Sequence, residues 1–278
     1  MNKEEVENVL KNIYYSAILD VLDNKTNLFI AKVEKTSEDV WGNVIQVIGE
    51  RLNGEHLILK ENIRSLLLEM KISDKAIRCS NITSLINLLN DEIEQLIRNG
   101  RELLDNFLFS ENQGLNKLFS CSKYLYGNER ASFKELNPIC KNVKGFNPIK
   151  IQEIIDDYND EIDLIICSSK TKRDYEQYLI DHFQNIERQN INEIGYFTMF
   201  NNSIPIMTAK LKNDEIYLIN TKDFKMHQLC DWLWLEDSYS KILRQFVDKP
   251  IYKAVLSKYA NLICKKPYKQ IKVVIKEQ

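Results

Sequence analysis

The strongest chemical candidate in the sequence is the pair Cys167 and Arg173, spaced C-x5-R. Between a strand and a helix, that spacing can form a loop whose backbone N–H groups and Arg hold phosphate oxygens. In cysteine phosphatases a thiolate of lowered pKa then attacks phosphorus. The neighbouring residues argue against such chemistry. The stretch from Ser168 to Lys172 has no glycine to let the backbone curl around phosphate. Ile166 stands where such enzymes carry His. The plainer reading is a core cysteine at a strand end, chemically inert, and no catalytic role is expected.

Other reactive types are dispersed. His56, His182 and His227 are far apart and share no metal-ligand spacing. His182 falls on a helix face with aromatics and reads as a packing residue. Asp156-Asp157 and Asp160-Glu161 flank a turn and read as solvated. Asp231, Glu236 and Asp237 surround tryptophans without a second set of partners. No nucleophile-elbow, phosphate-loop or dinucleotide fingerprint occurs. The six cysteines, Cys79, Cys121, Cys140, Cys167, Cys230 and Cys264, form no C-x-x-C pair. That spacing disfavours a zinc site or a secreted disulfide framework and suits reduced, buried thiols. No cofactor, no metal and no enzymatic activity are expected.

Composition sets the frame. The chain has 278 residues, 44% hydrophobic and 28% charged, which suits one large domain or two intertwined ones. A net charge of −2 supplies no general basic field to gather nucleic acid. With 8 Gly and 5 Pro scattered along the chain, no flexible linker stands out. The N-terminus is acidic and polar, unlike a signal peptide. No apolar run reaches the length of a membrane span.

The elements that position these residues follow from periodicity. Val6, Leu10, Ile13, Ala17 and Val21 predict an amphipathic helix over 3–22. Val44 to Ile48 and Leu57 to Leu59 are short apolar runs on either side of Asn53-Gly54, a strong hairpin signal. The hairpin's flanks are charged, so it is either an ordinary surface hairpin or an arm lying on a neighbouring subunit. Apolar positions from Leu85 to Phe107 predict a helix over 82–109, with Asn81, Thr83 or Ser84 as caps. A helix of that length would run roughly 40 Å, a structural spine. Gly100 inside it should cost about 1 kcal/mol relative to Ala. Residues 110–147 read as irregular. An α/β stretch follows: a short helix marked by Ile151, Ile154, Ile155 and Tyr158, then a buried strand, Ile162 to Cys167. A helix capped by Ser168 or Ser169 carries Tyr175, Tyr178, Leu179, His182, Phe183 and Ile186 on one side. Strands follow near 194–200, 204–210 and 215–219. Leu229 to Leu235 reads as an aromatic-rich strand or turn, and two last strands cover 251–264 and 270–276.

The C-terminal half carries a resemblance. Leu164 to Ser169 with Arg173-x-Tyr175, and Ser203 to Thr208 with Pro205, come first. Ile216 to Phe224, His227-Gln228-Leu229 and Asp231 to Asp237 follow. Leu243-Arg244-Gln245, Lys249-Pro250-x-Tyr252, Leu256 to Cys264, Pro267 and Gln270 close the series. In this order they resemble major capsid proteins of tailed bacteriophages with the Hong Kong 97 type of fold. The match is specific from about 145 to 270 and only architectural over 1–110.

The resemblance implies an α+β subunit. It would have an N-terminal arm (1–33), an extended β-hairpin loop (34–71) and a peripheral domain with the spine helix (72–140). An axial domain (141–248) and peripheral return strands (249–278) would complete it. It implies self-assembly into hexamers and pentamers of an icosahedral or prolate head enclosing double-stranded DNA, inside a virion built in the bacterial cytoplasm. An encapsulin-like shell shares the fold and stays open. About 80 residues precede the spine helix and Met1 is retained, so a separate scaffolding protein is expected, with a portal, a possible decoration protein and no membrane partner. The hairpin is expected to reach across a neighbour, with Trp41, Glu50, Arg51, Glu55 and Lys60 as candidate contacts. Lys-to-Asn cross-linking, known in some relatives, is not carried over, because no motif here identifies the pair.

Overall fold

Helical and alternating apolar patterns sort this chain into two blocks that share one sheet. The computed structural model describes residues 3–26, 32–35, 44–51, 54–78, 81–110, 113–158, 161–182, 184–191, 195–246 and 249–276. Trp41, Asn53, Cys79, Asp160 and Phe183 therefore lie outside the described residues.

The N-terminal helix has two parts, α1 (Lys3–Val9) and α2 (Tyr15–Thr26), joined by a π turn over Leu10–Tyr14. Strand β1 (Lys32–Lys35) precedes the hairpin β2 (Val44–Glu50) and β3 (His56–Asn62). Then come β4 (Arg64–Ser73), the single turn α3 (Asp74–Ile77) and the 28-residue α4 (Ile82–Phe109). The stretch expected to be irregular holds α5 (Gly114–Phe119) and the small ribbon β5 (Tyr124–Leu125) and β6 (Asn128–Glu129). The α/β stretch runs β7 (Ile139–Lys144), α6 (Pro148–Asp156), β8 (Leu164–Cys167), α7 (Ser169–Asp181) and β9 (Arg188–Ile191). It continues through β10 (Gly195–Phe200), β11 (Ile204–Thr208) and β12 (Glu215–Ile219). The chain ends with β13 (Phe224–Trp234), β14 (Arg244–Gln245), β15 (Ile251–Cys264) and β16 (Ile271–Lys276).

In the first block β15 is the central strand. It pairs with β4 on one side and with β13 and β14 on the other, and β1 adds to β13. Alternation along β4 turns Leu66, Leu68, Met70 and Ile72 inward, as a half-buried strand requires. The stripe Leu85, Leu89, Ile93, Leu96, Leu104 and Phe107 of α4 shares that core. Asn81 caps α4, its Oδ1 accepting from the Ser84 N–H at 2.8 Å, so one of the three capping candidates does the work.

The second block is a seven-stranded sheet, β7-β16-β12-β8-β11-β10-β9. Strand β8 is buried on both faces, which explains its unbroken apolar run. Ile165 and Cys167 face a core with Ile151, Ile155, Tyr175 and Leu179 of α6 and α7. Leu164 and Ile166 belong to the first block's core, so this sheet joins the two blocks. Ser168 is the cap of α7, its Oγ accepting from the Thr171 N–H at 3.1 Å.

Two expectations need correction. The helix over 3–22 exists, but Ile13 is 50% exposed, while Ile18 and Leu22 are fully buried. The π turn inserts one extra residue, so the buried face continues at 14, 18 and 22 rather than 13, 17 and 21. Second, that helix packs on its own subunit rather than standing off as an arm. Tyr15 Oη donates to the Trp232 carbonyl at 2.5 Å, the Leu243 N–H donates to Glu7 at 3.1 Å, and Lys11 pairs with Glu236. Neither sheet is built from one continuous stretch of the chain. Strand β13 pairs with β15 from Phe224↔Cys264 to Trp234↔Leu256 and so belongs to the first block. Strand β16 pairs with β7 and β12 in the second.

Gly100 now has a reason. A Cβ there would lie 2.4 Å from Leu22 Cδ2 and 3.1 Å from Leu68 Cδ1. The glycine lets the N-terminal helix approach α4 closely, which offsets its poor helix propensity. Gly100→Ala should therefore destabilise the subunit by about 1–3 kcal/mol through overpacking, although Ala is the better helix former by about 1 kcal/mol. Urea unfolding checks this, and an Ala variant more stable than the parent would refute the close contact.

Candidate assembly surfaces

The reactive candidates come first. Cys167 ends β8 and is buried; burial pushes its thiol up to about 12. It is therefore a neutral thiol at physiological pH, the opposite of an activated nucleophile. The surrounding backbone is already engaged: the Thr171 N–H bonds Ser168 Oγ, and the Cys167 carbonyl accepts from the Ala209 N–H at 2.9 Å. Arg173 is exposed on α7. This arrangement is a strand end and a helix cap, not a phosphate loop. His182 is exposed, stacks on Tyr178 with centroids 4.0 Å apart, and its Nδ1 lies 2.8 Å from the Tyr178 carbonyl oxygen. Among the described residues, no group of three His, Cys, Asp or Glu could hold a metal ion. Nor is any described helix long and apolar enough to cross a membrane.

The hairpin packs on its own subunit. Its strands pair in register from Val44↔Asn62 to Glu50↔His56. One face, with Ile45, Val47, Leu57 and Leu59, is buried in the first block's core. The cover comes from the same chain, from residues 113–137. The Lys60 N–H donates to the Tyr126 carbonyl at 2.8 Å, Asn128 Nδ2 donates to the Ile58 carbonyl at 2.8 Å, and Lys117 pairs with Glu61. The covering ribbon turns at Tyr126-Gly127, where φ is 51° and 78°. Positive φ at both central positions is what a two-residue ribbon turn needs. The hairpin thus does not extend free of its own subunit. The physical reason is that a two-stranded ribbon with one apolar face is marginal unless covered, and the chain carries its own cover. Deleting residues 43–62 should for that reason destabilise the subunit itself, not leave a sound monomer.

Of the candidate contacts, Trp41 lies outside the described residues. Glu50 is described only in its backbone, opposite His56. Arg51 is tied inward: it pairs with Glu55, its Nε lies 3.7 Å from Glu135, and its guanidinium sits 5.5 Å from the Phe133 ring centroid. Glu55 shares that pair. Lys60 points outward, opposite Gln46. The hairpin's outward face also carries Ile48 and Ile58, directly paired and 60% and 53% exposed. Alternation in the sequence contains these two residues, but mixed charge around them hides the signal. A second apolar row crosses the first sheet's outer face, where Leu67 and Leu233 flank Ser257 on β4, β13 and β15 and are 45% and 48% exposed.

Arg130 is a further organising residue, marked by no motif. It is buried and donates to the carbonyls of Leu136 (2.7 Å), Lys117 (3.0 Å) and Leu118 (2.8 Å). These bonds tie together the segment that covers the hairpin. Arg130→Met should cost about 2–4 kcal/mol, because three carbonyls lose a charged donor, and calorimetric melting would show it. With a thiol reagent at about pH 8, exposed Cys121 and Cys140 should react in the native protein, and buried Cys167 and Cys264 only after unfolding. Rapid native labelling of Cys167 would contradict the geometry.

No protein-family description matches the sequence, and no curated protein matches it. Solved structures do. An encapsulin complex, SrpI of Synechococcus elongatus PCC 7942, superposes with a TM-score of 0.59 at 9% identity, over 87% of this chain and 84% of that one. The capsid of cyanophage A-1(L) gives 0.59 at 10% identity, over 91% and 92%. A capsid protein of an Escherichia coli CFT073 prophage gives 0.51 at 10% identity, over 99% of both chains. The chain has the mixed helix-and-sheet fold shared by phage capsid subunits and encapsulins.

Proposed function

We propose that this chain is a shell-building subunit, the major capsid protein of a tailed-phage or prophage-derived head of the Hong Kong 97 type. The observation that carries this reading is a likeness to capsid subunits that spans at least nine-tenths of this chain and of theirs. In that fold's terms the first block is the peripheral domain with α4 as spine. The seven-stranded block is the axial domain, and the hairpin is the extended loop. The subunit assembles into hexamers and pentamers around double-stranded DNA, with a separate scaffolding protein, a portal and a decoration protein as candidate partners in the virion. The buried, neutral Cys167 supports a structural rather than an enzymatic role.

Exposed apolar residues on two sheet faces, Ile48 with Ile58 and Leu67 with Leu233, are the candidate contacts of such a subunit. In a closed ring each subunit both gives and receives a contact, so modest contacts add up. The face of the hairpin available to a neighbour is the one with Ile48, Ile58 and Lys60, not the covered face. An encapsulin-like shell remains the second reading, favoured by the equal TM-score of the SrpI structure. Its particles would hold protein cargo rather than nucleic acid.

Negative-stain microscopy and light scattering of the purified chain, with and without its scaffold, test the proposal. Closed particles are expected. Only a stable monomer under every assembly condition would overturn it. Ile48→Glu with Ile58→Lys should leave thermal unfolding within about 1 kcal/mol of the parent, as for surface substitutions, and suppress particle formation. Unchanged particles would remove the hairpin face from the contact.

A further inference from the structure

A lysine-rich groove lies along the free edge of the seven-stranded sheet. Strand β7 ends that sheet and, among the described residues, pairs only with β16. Between its outer side and α6 runs an open groove of about 490 Å³, lined by Lys141, Asn142, Lys144, Asn147 and Lys150 among others. Lys276 stands directly opposite Lys144 one strand further in. Both are exposed.

The charge balance here is unusual for a chain of net charge −2. Glu153 and Asp157 also face the groove. Glu153 is taken by Lys150 at 2.6 Å. Lys141 has its Nζ 5.7 Å from the Tyr158 ring centroid. Among the described residues, no carboxylate lies within ion-pair distance of Lys141, Lys144 or Lys276. Like charges directly opposite on neighbouring strands cost stability, so Lys144 and Lys276 are poorly placed for the isolated subunit. Lysines on an edge strand can serve merely to block strand addition. That accounts for Lys141 and Lys144 but not for Lys276, on an inner strand.

Side chains alternate along a strand. Lys141 therefore lies on the α6 side, with buried Val143, and Lys144 on the other, with Asn142. The cations straddle the edge and meet a chain of negative charges from both sides. Asn142 and Asn147 add neutral donors of the kind that contact phosphate and sugar.

We propose that this edge groove holds the phosphate backbone of duplex DNA, without sequence preference. The choice of partner rests on the shell reading; the groove and its charge do not. Contact is to phosphates, so affinity falls with salt by counterion release.

The test uses the full chain as unassembled subunit and a short labelled DNA duplex of mixed sequence, followed by fluorescence anisotropy over a salt series. Lys141→Gln, Lys144→Gln and Lys276→Gln together should weaken binding at least about tenfold at low salt. They should also lower the slope of log affinity against log salt by about 2–3, at roughly 0.9 per phosphate contact. The control, Lys134→Gln with Lys170→Gln and Lys222→Gln, removes the same charge elsewhere and should leave the affinity near the parent's. Equal loss in both variants, or no loss in the groove variant, overturns the site. Polyglutamate competing as well as duplex at equal charge overturns the partner and favours an acidic peptide. Thermal melting of each variant, and the single variants Lys144→Gln and Lys276→Gln, separate binding from folding. Particle formation is scored separately by light scattering, so failure of the shell reading would appear there and not in the anisotropy.

Discussion

The double pairing of β15 is the constraint on which the first block depends. Ten residues of β4, from Arg64 to Ser73, run antiparallel to Ile251–Ala260. On its other side β13 pairs from Cys264 back to Leu256. A strand clamped on both sides cannot slip by one residue without turning every side chain to the wrong face. The register therefore decides that Leu66, Leu68, Met70 and Ile72 meet α4, and that Leu67 and Leu233 face out. The N-terminal helix is held at one remove: it reaches α4 where Gly100 leaves room, and its polar grips fall on Trp232, Glu236 and Leu243, on or just beyond β13.

The hairpin is stabilised within its own subunit. Its inner face is closed by residues 113–137, and that cover is held by one buried guanidinium. Arg130 burial would be costly without partners. Three carbonyl acceptors hold its two terminal nitrogens, its Nε finds no hydrogen-bond partner among the described residues, and desolvation lowers its pKa. The reward is a rigid platform behind Ile48 and Ile58. A preorganised apolar pair loses less entropy on docking than one on a free arm.

The two blocks are coupled through the face that the seven-stranded sheet turns toward the first core. Tyr217 makes the joint: its ring stacks on Phe119 with centroids 4.2 Å apart, and its hydroxyl meets Asn116 at 2.8 Å. Glu215 beside it accepts from Lys272 at 2.8 Å. Burial and the neighbouring carboxylate push the Tyr217 hydroxyl well above its ordinary pKa.

By itself the sequence determined what local chemistry and period can determine. The bounds of α4, the cap before α7, the hairpin, and most strands of the α/β stretch were legible because each rests on spacing within one element. So was the burial of Cys167 at a strand end, since an unbroken apolar run leads up to it. Tertiary structure decided the rest. The π turn moved the buried face from Ile13 to Ile18, because one inserted residue leaves composition unchanged but shifts phase. Packing turned Gly100 from a weakness into a close approach. Long-range pairing assigned β13 and β16 to different sheets, which no local pattern encodes. Arg51 was drawn toward Glu135 and Phe133 while Glu55 and Lys60 were left outside, because which face of a hairpin is covered depends on a segment some 70 residues away in sequence, tied by Asn128 to Ile58.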